Sequence, residues 1–168
     1  MTTLYATPYD ISANGFYFET VEEYTAKASK LRNSSGWPVE EFELQFIDGE
    51  SIDAKLFEAL GVHQGNFPAF LEAANDWSAH DKLKVIIAVG EAGYSFTLGT
   101  DDPDKFDVDL YALDSMQELA QQFVEEGLFG EIPEKIQHYL DYDAIARDLS
   151  MDYSEITIAG THYIYRCD

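Results

Sequence analysis

The stretch Glu41–Gly61, EFELQFIDGESIDAKLFEALG, changes its period half-way. From Glu41 to Ile47 it alternates, with Phe42, Leu44 and Phe46 on one side and Glu41, Glu43 and Gln45 on the other. A period of two is the signature of a half-buried strand, here with an acidic outer face. Asp48-Gly49 turns the chain. Ser51 then stands where a helix N-cap is needed, Ile52, Leu56, Ala59 and Leu60 recur at helical spacing, and Gly61 supplies the stop. A strand followed directly by a helix, without a repeating βαβ rhythm, predicts an α+β fold.

The same reading extends both ways. Residues 3–9 and 16–18 read as short aromatic strands, and 21–32 as a helix capped by Thr20, with Glu23 completing a capping box. Asn66 is placed to cap a helix carrying Phe67, Phe70, Leu71, Ala74 and Trp77, and residues 80–92 fit a buried helix better than a strand. Residues 101–109 read as an acidic loop entering a strand. Residues 115–126 are helical, with Met116, Leu119, Ala120, Phe123 and Val124 on one face. Helices are expected from Ile132 to Leu140 and, capped by Asp141, through Leu149, with strands at 154–159 and 162–166. The expected architecture is an elongated chain of two or three small mixed lobes. These are an N-terminal α+β lobe (1–61), a mainly helical middle lobe (62–100) and a C-terminal α+β lobe (101–168).

Charge is the outlying property. Thirty-two acids against 10 bases in 168 residues give a net charge of −22. Hydrophobic residues make up 46% and aromatics 14%, enough to fold, whereas a disordered acidic tail is poor in aromatics. So strong a negative charge argues against direct binding of nucleic acid or an anionic membrane, both of which need Lys and Arg. It favours a basic partner surface. The acids are spread along the chain: 13 in residues 1–80, 2 in 81–100 and 17 in 101–168. Duplex DNA carries one negative charge per about 1.7 Å of axis, so carboxylates fixed along a folded surface can imitate it.

No catalytic constellation stands out, and the chain is expected to catalyse nothing and to need no cofactor. His63, His80, His138 and His162 lie in no HExxH pattern. Cys167, the only cysteine, is next to last. No register of residues 101–109 meets the calcium-loop pattern: from Asp102 the fifth position is Phe106, and from Asp107 it is Tyr111. Gly90–Gly93 and Gly127–Gly130 lack the lysine of a phosphate loop. With a single cysteine, no basic-plus-apolar leader and no long apolar run, a cytoplasmic location is expected.

The segment Glu131–Leu149, EIPEKIQHYLDYDAIARDL, resembles the signature segment of the ArdA antirestriction proteins: a Pro-Glu helix start, an aromatic-aliphatic pair, Asp-Tyr, then Ala-Arg-Asp. Glu40–Gly49 and Ile158–Tyr163 are similar to the same family. The resemblance implies a DNA mimic, carried by a mobile genetic element, that occupies the DNA-binding groove in the methyltransferase core of type I restriction–modification enzymes. It also implies three small lobes, paired into a symmetric homodimer. The expected partner-binding carboxylates are Glu40, Glu41, Glu43, Asp101, Asp102, Asp104, Asp107, Asp109, Glu118, Glu125, Glu126, Glu131 and Glu134. The motif residues Ile132, Pro133, Ile136, Tyr139, Leu140, Asp141, Tyr142, Ala146, Arg147 and Asp148 are expected to shape the C-terminal lobe and a two-fold interface, Arg147 pairing with a nearby acid. Two rival readings remain. One is an acidic decoy for another DNA-binding target, such as a CRISPR effector, a nucleoid protein or a repressor. The other is an acidic metal-binding protein.

Overall fold

The computed structural model describes residues 1–168 and is α+β, with seven helices and two three-stranded antiparallel sheets. Contacts group the chain into two compact units, Met1–Phe106 and Asp107–Asp168.

In the first unit, β1 (Thr3–Pro8) runs between β2 (Phe16–Phe18) and β3 (Phe42–Asp48). Leu4 faces Phe18 on one neighbour and Phe46 on the other, and Ala6 faces Leu44. The alternation read from the sequence is therefore the register itself: Phe42 and Leu44 are buried while Glu41, Glu43 and Gln45 are exposed. Helices α1 (Val21–Lys30), α2 (Ser51–Leu60), α3 (Phe67–Asp76) and α4 (Ala79–Val85) complete the unit. Aromatic edges bind sheet to helices. Phe18 meets Tyr24 and Phe67, and Phe57 bridges Phe46 and Phe70, with ring centroids between 5.0 and 6.0 Å. Burial of each such ring stabilises the fold by about 1.5–3 kcal/mol.

Two local expectations give way here. Ser51 does not cap α2. Glu50 occupies the N-cap position without a side-chain bond, Ser51 is the first helical residue, and Asp53, in the first turn, is buried. Asn66 sits at the α3 N-cap, but its Oδ1 accepts from the His63 N–H of the preceding turn. Residues 80–92 are helical as read, with a change of winding: α4 ends at Val85 and a π-helical turn runs from Ile86 to Glu91. Ile86, Ile87 and Ala88 are buried in that turn, and Gly90 packs closely on Ala59 of α2, where an added Cβ would lie 3.3 Å from the Ala59 Cβ.

In the second unit, β6 (Thr161–Cys167) lies between β4 (Val108–Tyr111) and β5 (Ser154–Ile158). The β5–β6 hairpin closes on Ala159-Gly160, both with positive φ, the conformation of a tight hairpin turn. Helices α5 (Met116–Glu125) and α7 (Tyr142–Leu149) pack on this sheet around Leu119, Phe123, Ala146, Tyr153 and Ile164. Ser115 and Asp141 cap them, accepting from Glu118 N–H and Ala144 N–H. Between these helices the expected helix over 132–140 shrinks to a single turn, α6 (Glu134–Gln137). Its apolar stripe finds no core to bury in: Ile136 is 49% exposed and Tyr139 85%. Propensity alone does not hold so short a helix in water.

Candidate functional site

The first unit contains 18 acids and 7 bases and the second 14 and 3, so each carries a net −11. Of the thirteen carboxylates singled out from the sequence, only Asp101 and Asp109 are half-buried and the rest are exposed.

Glu40, Glu41 and Glu43 line the entry to β3 and its outer face. Gln64 fixes this stretch from across the unit. Its Oε1 accepts from Phe42 N–H at 2.6 Å and its Nε2 donates to the Glu40 carbonyl at 3.0 Å. Asp101, Asp102 and Asp104 sit on the turn Pro103–Lys105. Asp102 caps it, accepting from Asp104 N–H. Asp101 accepts from Thr97 N–H at 2.7 Å and pairs with Lys105, which holds its carboxyl below the ordinary carboxylate range, the Thr97 bond contributing most. Asp104 pairs with Lys84 at 3.3 Å. Alongside, Glu72 and Asp76 of α3 join Asp101 and Asp102 around a cleft of about 320 Å³ that Trp77 and Thr100 also line. The sequence reading missed Glu72 and Asp76, although their i, i+4 spacing beside the apolar stripe marks an outward acidic face.

On the second unit, Glu118 and Glu125 project from the outer face of α5, and Glu126 forms its C-cap. Glu118 also accepts from the N–H of Asp114, the residue before the cap, while its own N–H donates to Ser115 Oγ. Glu131 and Glu134 stand in the exposed segment before and in α6. Asp107 is exposed, and its carbonyl accepts from Asp168 N–H. Asp109 pairs across strands with Arg166 at 2.7 Å, and that bond is the main reason the guanidinium pKa rises above its ordinary value. Ten of the thirteen (Glu40, Glu41, Glu43, Asp102, Asp107, Glu118, Glu125, Glu126, Glu131 and Glu134) take part in no ion pair, so their charge faces solvent unneutralised.

The motif residues divide. Ala146 is buried against α5, Asp141 caps α7, and Ile132, Leu140 and Tyr142 are half-buried. Pro133, Ile136, Tyr139, Arg147 and Asp148 are exposed. Arg147 makes no ion pair, contrary to expectation, although Asp143 and Glu155 line the same shallow groove.

The sequence also gave no sign of a buried ion pair. Asp53 of α2 and Lys82 of α4 are 4% and 5% exposed, with Oδ1 2.7 Å from Nζ. The Lys82 ammonium also donates to the Ala74 carbonyl at 2.7 Å, so it is shared between the carboxylate and the end of α3. This pair ties α2 to α4 and, through the Ala74 carbonyl, to α3. No three His, Cys, Asp or Glu side chains converge to hold a metal ion, and no helix is long and apolar enough to cross a membrane.

Fold and surface define a class: a small α+β protein of two units, each presenting unpaired carboxylates on helices, strand edges and capped turns. A family model described as antirestriction protein (ArdA) matches residues 14–163, and the chain belongs to that family. Its class of activity is antirestriction. No curated protein matches the chain.

Proposed function

We propose that the chain is a DNA mimic that enters the DNA-binding groove of a type I restriction–modification enzyme, catalysing nothing itself. The observation that carries this reading is the set of exposed, unneutralised carboxylates fixed on ordered elements of both units. Fixed charge of this kind resembles duplex phosphate in two respects: it need not be ordered on binding, and it releases counterions from a basic groove. Glu72 and Asp76, both exposed and in no ion pair, join the ten unpaired carboxylates in this role. A homodimer would double the charge, and the exposed Leu128, Phe129, Ile136 and Tyr139 support self-association through the segment 127–140.

The test is competition. Labelled duplex DNA is bound to a purified type I methyltransferase, and the protein is titrated in while anisotropy is followed at several salt concentrations. Displacement near stoichiometry, weakening with salt, is expected. One Glu→Gln change should alter it little, and eight or more together should abolish it. Absence of displacement at large excess of folded protein refutes the type I assignment.

A further inference from the structure

Three side chains that ordinarily avoid water stand on one tip of the first unit: Tyr9 is 64% exposed, Trp37 68% and Ile11 100%. Scattered apolar residues on a surface are ordinary. These differ in being held in place. They belong to two loops, 9–15 and 31–38, that are tied together by side chains. Asn33 is the knot. Its Nδ2 donates to Asp10 Oδ2 at 2.9 Å, and its Oδ1 accepts from Ser35 N–H and Trp37 N–H, both at 3.0 Å. Asp10 Oδ1 accepts from the Ser12 hydroxyl and backbone N–H on either side of Ile11, and Ser12 Oγ accepts from Ser34 N–H. Tyr9 N–H donates to the Glu41 carbonyl, joining the tip to the acidic edge of β3. The loops are therefore built before any partner arrives, and Ile11 and Trp37 are presented rather than folded away.

We infer that this tip is an apolar anchor for the protein partner, inserting Ile11 and Trp37 into an apolar recess whose rim is basic. The inference rests on the reading of the preceding subsection and adds to it a contact that phosphate cannot make. The occupant follows from charge. Asp10, Glu40 and Glu41 lie in or beside these two loops and outnumber their one base, Arg32, whose guanidinium is turned back onto the Ser29 and Leu31 carbonyls. At the tip a second copy would set Asp10, Glu40 and Glu41 against like charges, whereas a basic protein surface brings the opposite sign. Aromatic anchors on preordered loops lose little entropy on docking, and such residues dominate interface energetics. An apolar contact also differs from a carboxylate in releasing no counterions, so it contributes equally at every salt concentration.

That difference is the test. The double variant Ile11→Ser/Trp37→Ser, checked for an unchanged far-ultraviolet spectrum and melting profile, is compared with the parent and with Glu40→Gln/Glu41→Gln/Glu43→Gln in the competition assay over a salt series. Expected is roughly a tenfold or greater loss of affinity in the double variant at all salt concentrations, the slope of log affinity against log salt unchanged. The triple amide variant should instead flatten the slope. Asn33→Ala, which unties the loops and leaves every apolar group in place, should lose part of the same affinity without altering the slope. A double variant that competes as well as the parent overturns the anchor alone, as does one whose slope falls. A double variant that has lost self-association shown by the parent places the tip between copies and also overturns it. A parent that displaces no DNA overturns the DNA-mimic reading and the anchor with it.

Discussion

Replacing Lys82 by methionine keeps the length of the side chain and removes its charge. The consequence follows from the burial of Asp53, whose side chain is 5% exposed and whose only cation is Lys82. In the variant the carboxylate stays inside the first unit with no counter-charge, and the Ala74 carbonyl loses its donor. Breaking a buried pair from one side costs about 3–5 kcal/mol. A domain of this size has only about 5–15 kcal/mol in total, so the loss is a large fraction of its stability, equivalent to roughly 10–20 °C in melting temperature. Removing both charges, Asp53→Leu/Lys82→Met, should restore stability to within about 1 kcal/mol of the parent, since replacing a buried pair by apolar groups is often neutral. The double variant also keeps the net charge at −22, which separates the local pair from overall repulsion. Urea unfolding followed by tryptophan fluorescence reads the right unit, because Trp37 and Trp77 both lie within Met1–Phe106. A single variant within about 1 kcal/mol of the parent, or a double variant as unstable as the single, refutes the argument.

Two further outcomes are expected. Ile136→Ser/Tyr139→Ser replaces exposed side chains, so the variant should fold as the parent does while its sedimentation changes from dimer to monomer. A parent already monomeric at micromolar concentration counts against the 127–140 interface. Asp101 is held below its ordinary value of 3.8 by the Thr97 N–H and then by Lys105, so its bonds stabilise the charged form. That contribution is complete above the ordinary value and disappears as pH falls through the depressed one. Asp101→Asn should therefore be less stable than the parent at neutral pH, the difference closing in melts taken at progressively lower pH below about 4. A difference that widens on acidification refutes the assignment.

What the sequence discloses, and what it hides, follows from the range of the interactions involved. Thr20 and Asp141 are legible as caps because each bonds an N–H three residues on. Phe42, Leu44 and Phe46 are legible because a strand alternates regardless of its neighbours. Lys82 and Asp53 lie 29 positions apart, and nothing near either residue signals that the other neutralises it. Gln64 clamps the backbone of Glu40 and Phe42 from 22–24 positions away, which is equally silent in the sequence. The misreading of 132–140 has another cause. Ile132, Ile136, Tyr139 and Leu140 keep helical spacing, but spacing states only which residues share a face, and no core of the second unit receives that face. The exposed carboxylates were legible in number and mostly in place, since an acid on the polar side of an amphipathic pattern points to solvent. The pairing of Asp101, Asp104 and Asp109 was not.

The charge constrains the fold and the proposed function in opposite directions. A net −11 on each unit repels itself, and the aromatic contacts around Phe18, Phe57 and Phe123 must hold each unit together against that repulsion. Salt screens the repulsion and so favours the folded units, yet the same screening weakens attraction to a basic groove. If the acids served only to keep the protein hydrated in brine, stability and activity would rise together with salt. A surface built to imitate phosphate must show them diverging, and the ten unpaired carboxylates explain why: each costs the fold a little repulsion and has no ion pair within the chain to offset it. Their return lies in a partner of opposite sign. The three acids that are paired within the chain, Asp101, Asp104 and Asp109, stabilise turns and strands instead. They are therefore the members of the set whose loss should be felt first in stability and least in the salt dependence of binding.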